Sequence, residues 1–82
     1  MAKAKTIEFN ILKTLGTVST SATGWTKDLS IVSWNGGAPK YDLREWSPDK
    51  TRMGKGSTLS AAELLGLKDI INNIADIPGE LE

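Results

Sequence analysis

Lys40, Arg44 and Trp46 recur at even spacing along one segment, Lys40-Tyr41-Asp42-Leu43-Arg44-Glu45-Trp46. In an extended strand successive side chains alternate between faces, so Lys40, Asp42, Arg44 and Trp46 share one side and Tyr41 and Leu43 the other. A flat ring beside two cations suits a nucleic-acid strand, because the ring can stack on a base while the cations meet phosphates. Trp34 lies one turn upstream, Lys27 lies in the segment leading into the predicted second strand, and Lys55 sits on the predicted fourth. The candidate nucleic-acid-binding residues are therefore Lys27, Trp34, Lys40, Arg44, Trp46 and Lys55. Each also has a plainer use. Trp34 and Trp46 are residues that fill cores, Arg44 can pair with Asp42 or Glu45, and Lys55 can solubilise an edge strand. Trp25 is read as packing under a loop. Asp42 is unfavourable on an anion-binding face unless it orients Arg44 or Lys55.

Other chemistries find less support. The 82 residues include no cysteine and no histidine, which removes disulfides, thiolate zinc sites and His-based catalysis. Gly54-Lys55-Gly56-Ser57-Thr58 lacks the spacing of a phosphate-binding loop, since no glycine stands five residues before Gly54 and Gly56 follows the lysine. No nucleophile–base pair is evident. The expectation is a non-enzyme with no cofactor, no metal and no small-molecule substrate.

These side chains need a sheet to hold them. Ile7, Phe9 and Ile11 alternate with Glu8 and Asn10, which predicts a first strand from Thr6 to about Ser19. Leu12 falls out of phase, so a bulge near Leu12–Lys13, or burial on both sides there, is expected. A second strand runs Leu29–Trp34. Asn35-Gly36-Gly37 supplies the positive φ angles of a hairpin turn, and a third strand spans about Pro39–Trp46. Pro48 ends it, and Met53–Leu59 forms a glycine-rich fourth strand. Ser60-Ala61-Ala62-Glu63 is a capping box flanked by Leu59 and Leu64 at the staple positions. The helix that follows carries Leu64, Leu67, Ile70, Ile71, Ile74 and Ile77 at helical period and stops at Pro78-Gly79. The predicted fold is α+β: a curved four-stranded antiparallel sheet followed by one C-terminal amphipathic helix, β-β-β-β-α. It forms a single domain over 1–82 with an ordered core of about 6–77. The helix is expected to cover the Tyr41/Leu43 face and leave Lys40, Arg44 and Trp46 outward.

Charge is uneven although the net is zero. Met1 to Gly56 holds nine Lys/Arg against five Asp/Glu, and Ser57 to Glu82 one against five. The basic part coincides with the strands. So short a chain buries little, and the aliphatics at Leu67, Ile71 and Ile74 exceed what one small sheet needs, which points to a homodimer. No apolar run reaches bilayer length and no secretory signal is visible, so a cytoplasmic protein without membrane contact is expected.

The chain resembles the transcriptional coactivator family of positive cofactor four, in its bacterial YdbC-type branch. The resemblance rests on Gly24-Trp25 with Lys27, Val32-Ser33-Trp34-Asn35, Pro39 to Arg44 with Trp46-Ser47-Pro48, and Met53-Gly54-Lys55-Gly56 with Thr58-Leu59-Ser60. It implies a homodimer that binds single-stranded DNA, or RNA, without strong sequence preference, in support of transcription or DNA maintenance. By the same resemblance Asp42-Leu43-Arg44, with Trp46 beyond it, and Gly54-Lys55-Gly56 occupy the binding strands. Eukaryotic members have a basic turn between the second and third strands. Here it is Asn35-Gly36-Gly37-Ala38, uncharged until Lys40, so contacts from that turn do not carry over. The alternative class is a small protein-interaction module that uses the Trp/Arg face, since both residues are enriched at binding hot spots.

Overall fold

The computed structural model describes residues 7–75. Strands β1 (Phe9–Thr20), β2 (Thr26–Trp34), β3 (Lys40–Trp46) and β4 (Met53–Leu59) form one antiparallel sheet in the order β1-β2-β3-β4, followed by helix α1 (Ala61–Asn72). The element order is the expected one. β2 starts earlier than Leu29 because Thr26, Lys27 and Asp28 pair with Trp46, Glu45 and Arg44; ladder pairing there overrides a polar composition. Asn35 (φ 51°) and Gly36 (φ 74°) both take positive φ, as a type I′ hairpin requires, and the Gly37 N–H closes the turn on the Trp34 carbonyl at 2.8 Å.

The capping box forms as read. Ser60 Oγ accepts from the Glu63 N–H at 3.1 Å, and Glu63 Oε1 accepts from the Ser60 N–H at 2.8 Å. The helix nevertheless ends at Asn72, with Asn73 as its C-cap donating to the carbonyls of Asp69 and Ile70. Asparagine competes with helical hydrogen bonding, so Asn72-Asn73 ends it sooner than the aliphatic period suggests. Ile74 lies past the helix, and the stop expected at Pro78-Gly79, with Ile77, lies outside the described residues.

β1 departs furthest from a regular ladder. Its register against β2 slips between Ile11 and Lys13, between Thr14 and Gly16, and between Thr17 and Ser19. The first slip is the bulge expected at Leu12. The other two, at Leu15 and Val18, repeat it at three-residue intervals. A bulge bends its strand and raises the local twist, and the result is a deeply curled sheet. Trp34 and Thr26 are the two ends of β2, and Thr26 pairs with Trp46. Eight extended residues span roughly 26 Å, yet the rings of Trp34 and Trp46 stack with centroids 6.5 Å apart at 14°. Phe9, opposite Trp34 in the ladder, closes the cluster with its ring 5.0 Å from that of Trp46.

This curl reverses the expected assignment of faces. Thr26, Asp28, Ser30, Val32 and Trp34 of β2 share a side with Lys40, Asp42, Arg44 and Trp46 of β3, and that concave side is the buried one. Trp46 and Val32 are both 0% exposed, the only fully buried apolar side chains among the described residues. Trp46, expected outward as a stacking platform, is instead the centre of the core. The other face carries Leu29, Ile31, Tyr41 and Leu43, all only half-buried. The helix lies on that face, as anticipated, but covers it loosely. Leu64 is half-buried, whereas Leu65, Leu67, Ile70 and Ile71 are exposed.

Two substitutions check this packing. A Cβ on Gly56 would sit 2.5 Å from both Arg44 Cβ and the Leu43 carbonyl oxygen, and a backbone atom cannot step aside. Gly56→Ala should therefore lose roughly 1–3 kcal/mol in urea unfolding. Trp46→Ala should lose roughly 3–5 kcal/mol, as a fully buried aromatic does. A Trp46→Ala variant with wild-type stability would refute the inward placement.

Candidate nucleic-acid interface

On the concave face Arg44 is built into a polar network. Its Nε donates to Asp42 Oδ2 at 3.1 Å, its Nη2 to Asp42 Oδ1 at 3.1 Å and its Nη1 to the Gly54 carbonyl at 3.3 Å. Thr58 Oγ1 donates to Asp42 Oδ1 at 3.2 Å. Asp42, two residues before Arg44 on the same side of β3, is 0% exposed; the Arg44 side chain keeps 16% of its surface in solvent. The carboxylate that looked misplaced on an anion-binding face is thus the group that orients the guanidinium. The guanidinium lies over the Trp34 ring, with Cζ 5.0 Å from the centroid, a cation–π contact. Lys40 is exposed on the same face at the start of β3. The indole N–H groups of Trp34 and Trp46 and the Ser30 hydroxyl have no hydrogen-bond partner among the described residues, so the aromatic cluster is held by packing.

A second buried carboxylate ties this face to the β3–β4 turn. Asp28, 1% exposed, accepts from Lys50 Nζ at 2.7 Å and from Thr17 Oγ1 at 2.9 Å, and the same ammonium donates to Thr26 Oγ1 at 2.7 Å. Lys50, read from the sequence only as loop, joins β1, β2 and the turn. Burial acts to raise the Asp28 carboxyl, but the hydrogen bonds from Lys50, Thr17 and Thr26 outweigh it and hold the group below its ordinary value. In the same turn Asp49 accepts from the hydroxyls of Thr51 and Ser47 and from the Thr51 N–H. Those bonds lower its pKa to about 2.

Of the six candidate residues, the structure gathers Trp34, Lys40, Arg44 and Trp46 on the concave side. Lys27 and Lys55 fall on the opposite side, since Lys27 pairs across from Glu45 and both lysines border a shallow depression with Leu43, Glu45 and Ser57. Sequence reasoning passed over Trp25 and Arg52. The Arg52 guanidinium lies over the half-buried Trp25 ring, with Cζ 5.5 Å from the centroid. The available signal was the i, i+2 spacing of Trp25 and Lys27, the same pattern that singled out Arg44 and Trp46. Among the described residues no cluster of carboxylates is placed to hold a metal ion, and no helix is long and apolar enough to cross a membrane.

Residues 21–70, from the loop before β2 into α1, match the family model Transcriptional Coactivator p15 (PC4). The chain belongs to the PC4 family. It is also 48% identical over 67 residues to an uncharacterised protein of Treponema pallidum (strain Nichols), a match covering 82% of this chain and 79% of that relative. PC4 proteins are nucleic-acid-binding and non-enzymatic as a family. The PC4 match includes all six candidate residues and both ion pairs but leaves out β1 with its three bulges.

The buried Asp28 can be tested by pH through its own variant. A depressed folded pKa contributes stability that is fully present above the unfolded value, about 4, and that is lost as pH falls through the folded value. Thermal midpoints should fall as the pH drops below about 4. Asp28→Asn should have a lower midpoint at neutral pH and a shallower acid slope. A wild-type slope retained in Asp28→Asn would place the titration elsewhere.

Proposed function

We propose that the chain binds single-stranded DNA or RNA as a homodimer, without strong sequence preference, in support of transcription or DNA maintenance in the cytoplasm. The observation that carries this reading is the Arg44–Trp34 contact beside the exposed Lys40, in a family that binds single-stranded nucleic acid. Trp34, half-buried at the lip of the cluster, is the aromatic that a base can reach; Trp46 supports it from beneath. Arg44 is held in place by Asp42 before any ligand arrives, so its ordering cost on binding is small. No catalytic step belongs to this reading.

The dimer is supported by an unfinished surface. A groove of about 350 Å³ between α1 and the sheet is lined by Val18, Leu29, Leu43, Leu64, Leu67 and Ile71. Leu65 and Ile70 stand 65% and 62% exposed on the same helix. So much aliphatic surface on a small chain fits a self-complementary contact.

Titration with matched single- and double-stranded oligonucleotides tests the binding. The single strand should be preferred, with little dependence on its sequence. Its log–log salt slope should be negative, about −0.7 per phosphate neutralised, and Lys40→Gln should remove about one such unit. Trp34→Ala should cost roughly 1–3 kcal/mol of affinity. Arg44→Ala is a poorer probe, since it leaves Asp42 buried without its cation. Salt-independent binding or a preference for duplex would contradict the reading. For the dimer, sedimentation equilibrium at micromolar concentration should show two 8.8 kDa chains together, and a monomer that stays fully folded on dilution would refute it.

A further inference from the structure

We propose that Asn35-Gly36 is a self-modifying site, where the Gly36 amide attacks the Asn35 side chain and converts it to aspartate and isoaspartate, unclasping the start of β1. Only the effect on binding rests on the single-strand reading above.

Asparagine is a thermolabile residue, and it is lost when the next main-chain nitrogen reaches its side-chain carbonyl. The β2–β3 turn leaves that nitrogen open. Asn35 and Gly36 are exposed. A Cβ on Gly36 would meet nothing within 4 Å, so water reaches the amide and the chain can swing toward ring closure without a clash. Among the described residues the Gly36 N–H has no hydrogen-bond partner, because the turn is closed by the Gly37 N–H instead. Asn35 Oδ1 accepts from the Glu8 N–H at 2.9 Å, and a donor so placed stabilises the charge that the oxygen gains during attack. The other asparagines lack this setting. Asn10 and Asn73 precede isoleucine and Asn72 precedes Asn73, in a strand or at the helix end.

The chemistry needs only water. A base takes the Gly36 amide proton, the nitrogen bonds to Asn35 Cγ, and Nδ2 leaves as ammonia after taking up a proton. Water then opens the succinimide ring at either carbonyl, so the net change is hydrolysis of one amide with nothing oxidised or reduced. Opening at the main-chain carbonyl gives isoaspartate, which routes the backbone through the side-chain carbons.

That rerouting removes a clasp. Asn35 holds β1 through Oδ1 and through its own N–H, which donates to the Glu8 carbonyl at 2.7 Å. Phe9, the next residue, closes the aromatic cluster over Trp46. In isoaspartate the former Oδ1 becomes a main-chain oxygen and leaves its place opposite Glu8. Either product also adds a negative charge one residue from Trp34, where it repels phosphate.

Incubation of the folded chain in mildly acid and mildly alkaline buffer, followed by tryptic peptide mass spectrometry, tests the proposal. The peptide Asp28–Lys40 should gain the mass of amide-to-acid conversion much faster in alkali, while peptides holding Asn10, Asn72 and Asn73 stay unchanged. Asn35→Gln, whose longer side chain cannot close the same ring, should not convert. The isoaspartate fraction, separated by ion exchange, should melt roughly 4–8 °C lower, as one lost clasp bond predicts for a domain of this size. It should also bind oligothymidylate several-fold more weakly. Conversion at Asn35 no faster than at the other three asparagines would overturn the proposal, as would an isoaspartate fraction with the wild-type midpoint. If fresh wild-type chain binds no oligonucleotide, the single-strand reading falls, while the mass gain and the melting shift still decide the modification.

Discussion

Trp46 is buried in so short a chain because β2 and β3 bend far enough to lay Phe9 and Trp34 over it. Without that bend, a four-stranded sheet with one loosely packed helix has no enclosed interior. With it, one indole removes a large apolar area from water, on the order of 150–250 Å², and Val32 completes the apolar centre. The remainder of the concave side is polar. Asp28, Ser30 and Asp42 are carried inward by the same curvature. Burying a carboxylate is unfavourable unless a cation and further donors accompany it. Each of the two has its own: Lys50 reaches Asp28 from the β3–β4 turn, and Arg44 reaches Asp42 from two residues along the strand.

The arrangement divides the labour between the faces. The inner face makes a protomer cohere, and in doing so fixes Arg44 over Trp34. The outer face holds the helix, the exposed aliphatics and a separate group of exposed cations. Arg44 serves both stability and the candidate site, which makes it a poor residue to vary alone, whereas Lys40 and Arg52 are exposed and, among the described residues, outside any ion pair.

Local patterns were legible in the sequence where the signal was local. The Asn35-Gly36 turn, the Ser60/Glu63 box, the extent of β4 and the slip at Leu12 all follow from conformational preference or short-range hydrogen bonding. Alternation also sorted β3 into its two faces correctly. It did not reveal which face would be enclosed, because alternation records that residues share a side and not how the sheet bends. Tyr41 and Leu43 looked like the core by composition, and a flat sheet under a well-packed helix would have made them so. The bend depends on bulges at Leu15 and Val18 that leave no mark in β-branched and small residues. Lys50 and Arg52 were illegible for a related reason: their partners, Asp28 and Trp25, lie more than twenty residues away.

β1 contributes twelve residues to a ladder in which β2 contributes nine, and the surplus of three is the three bulges. Two bonded strips of unequal length must bow, as the two metals of a thermostat strip do when one expands more than the other. The radius of the sheet is then set by a residue count and not by the identity of any one side chain. Point substitution leaves that count untouched. Insertion or deletion in β1 would reset it one notch at a time, changing the depth of the curl while leaving the residues that β2 and β3 place inside unchanged.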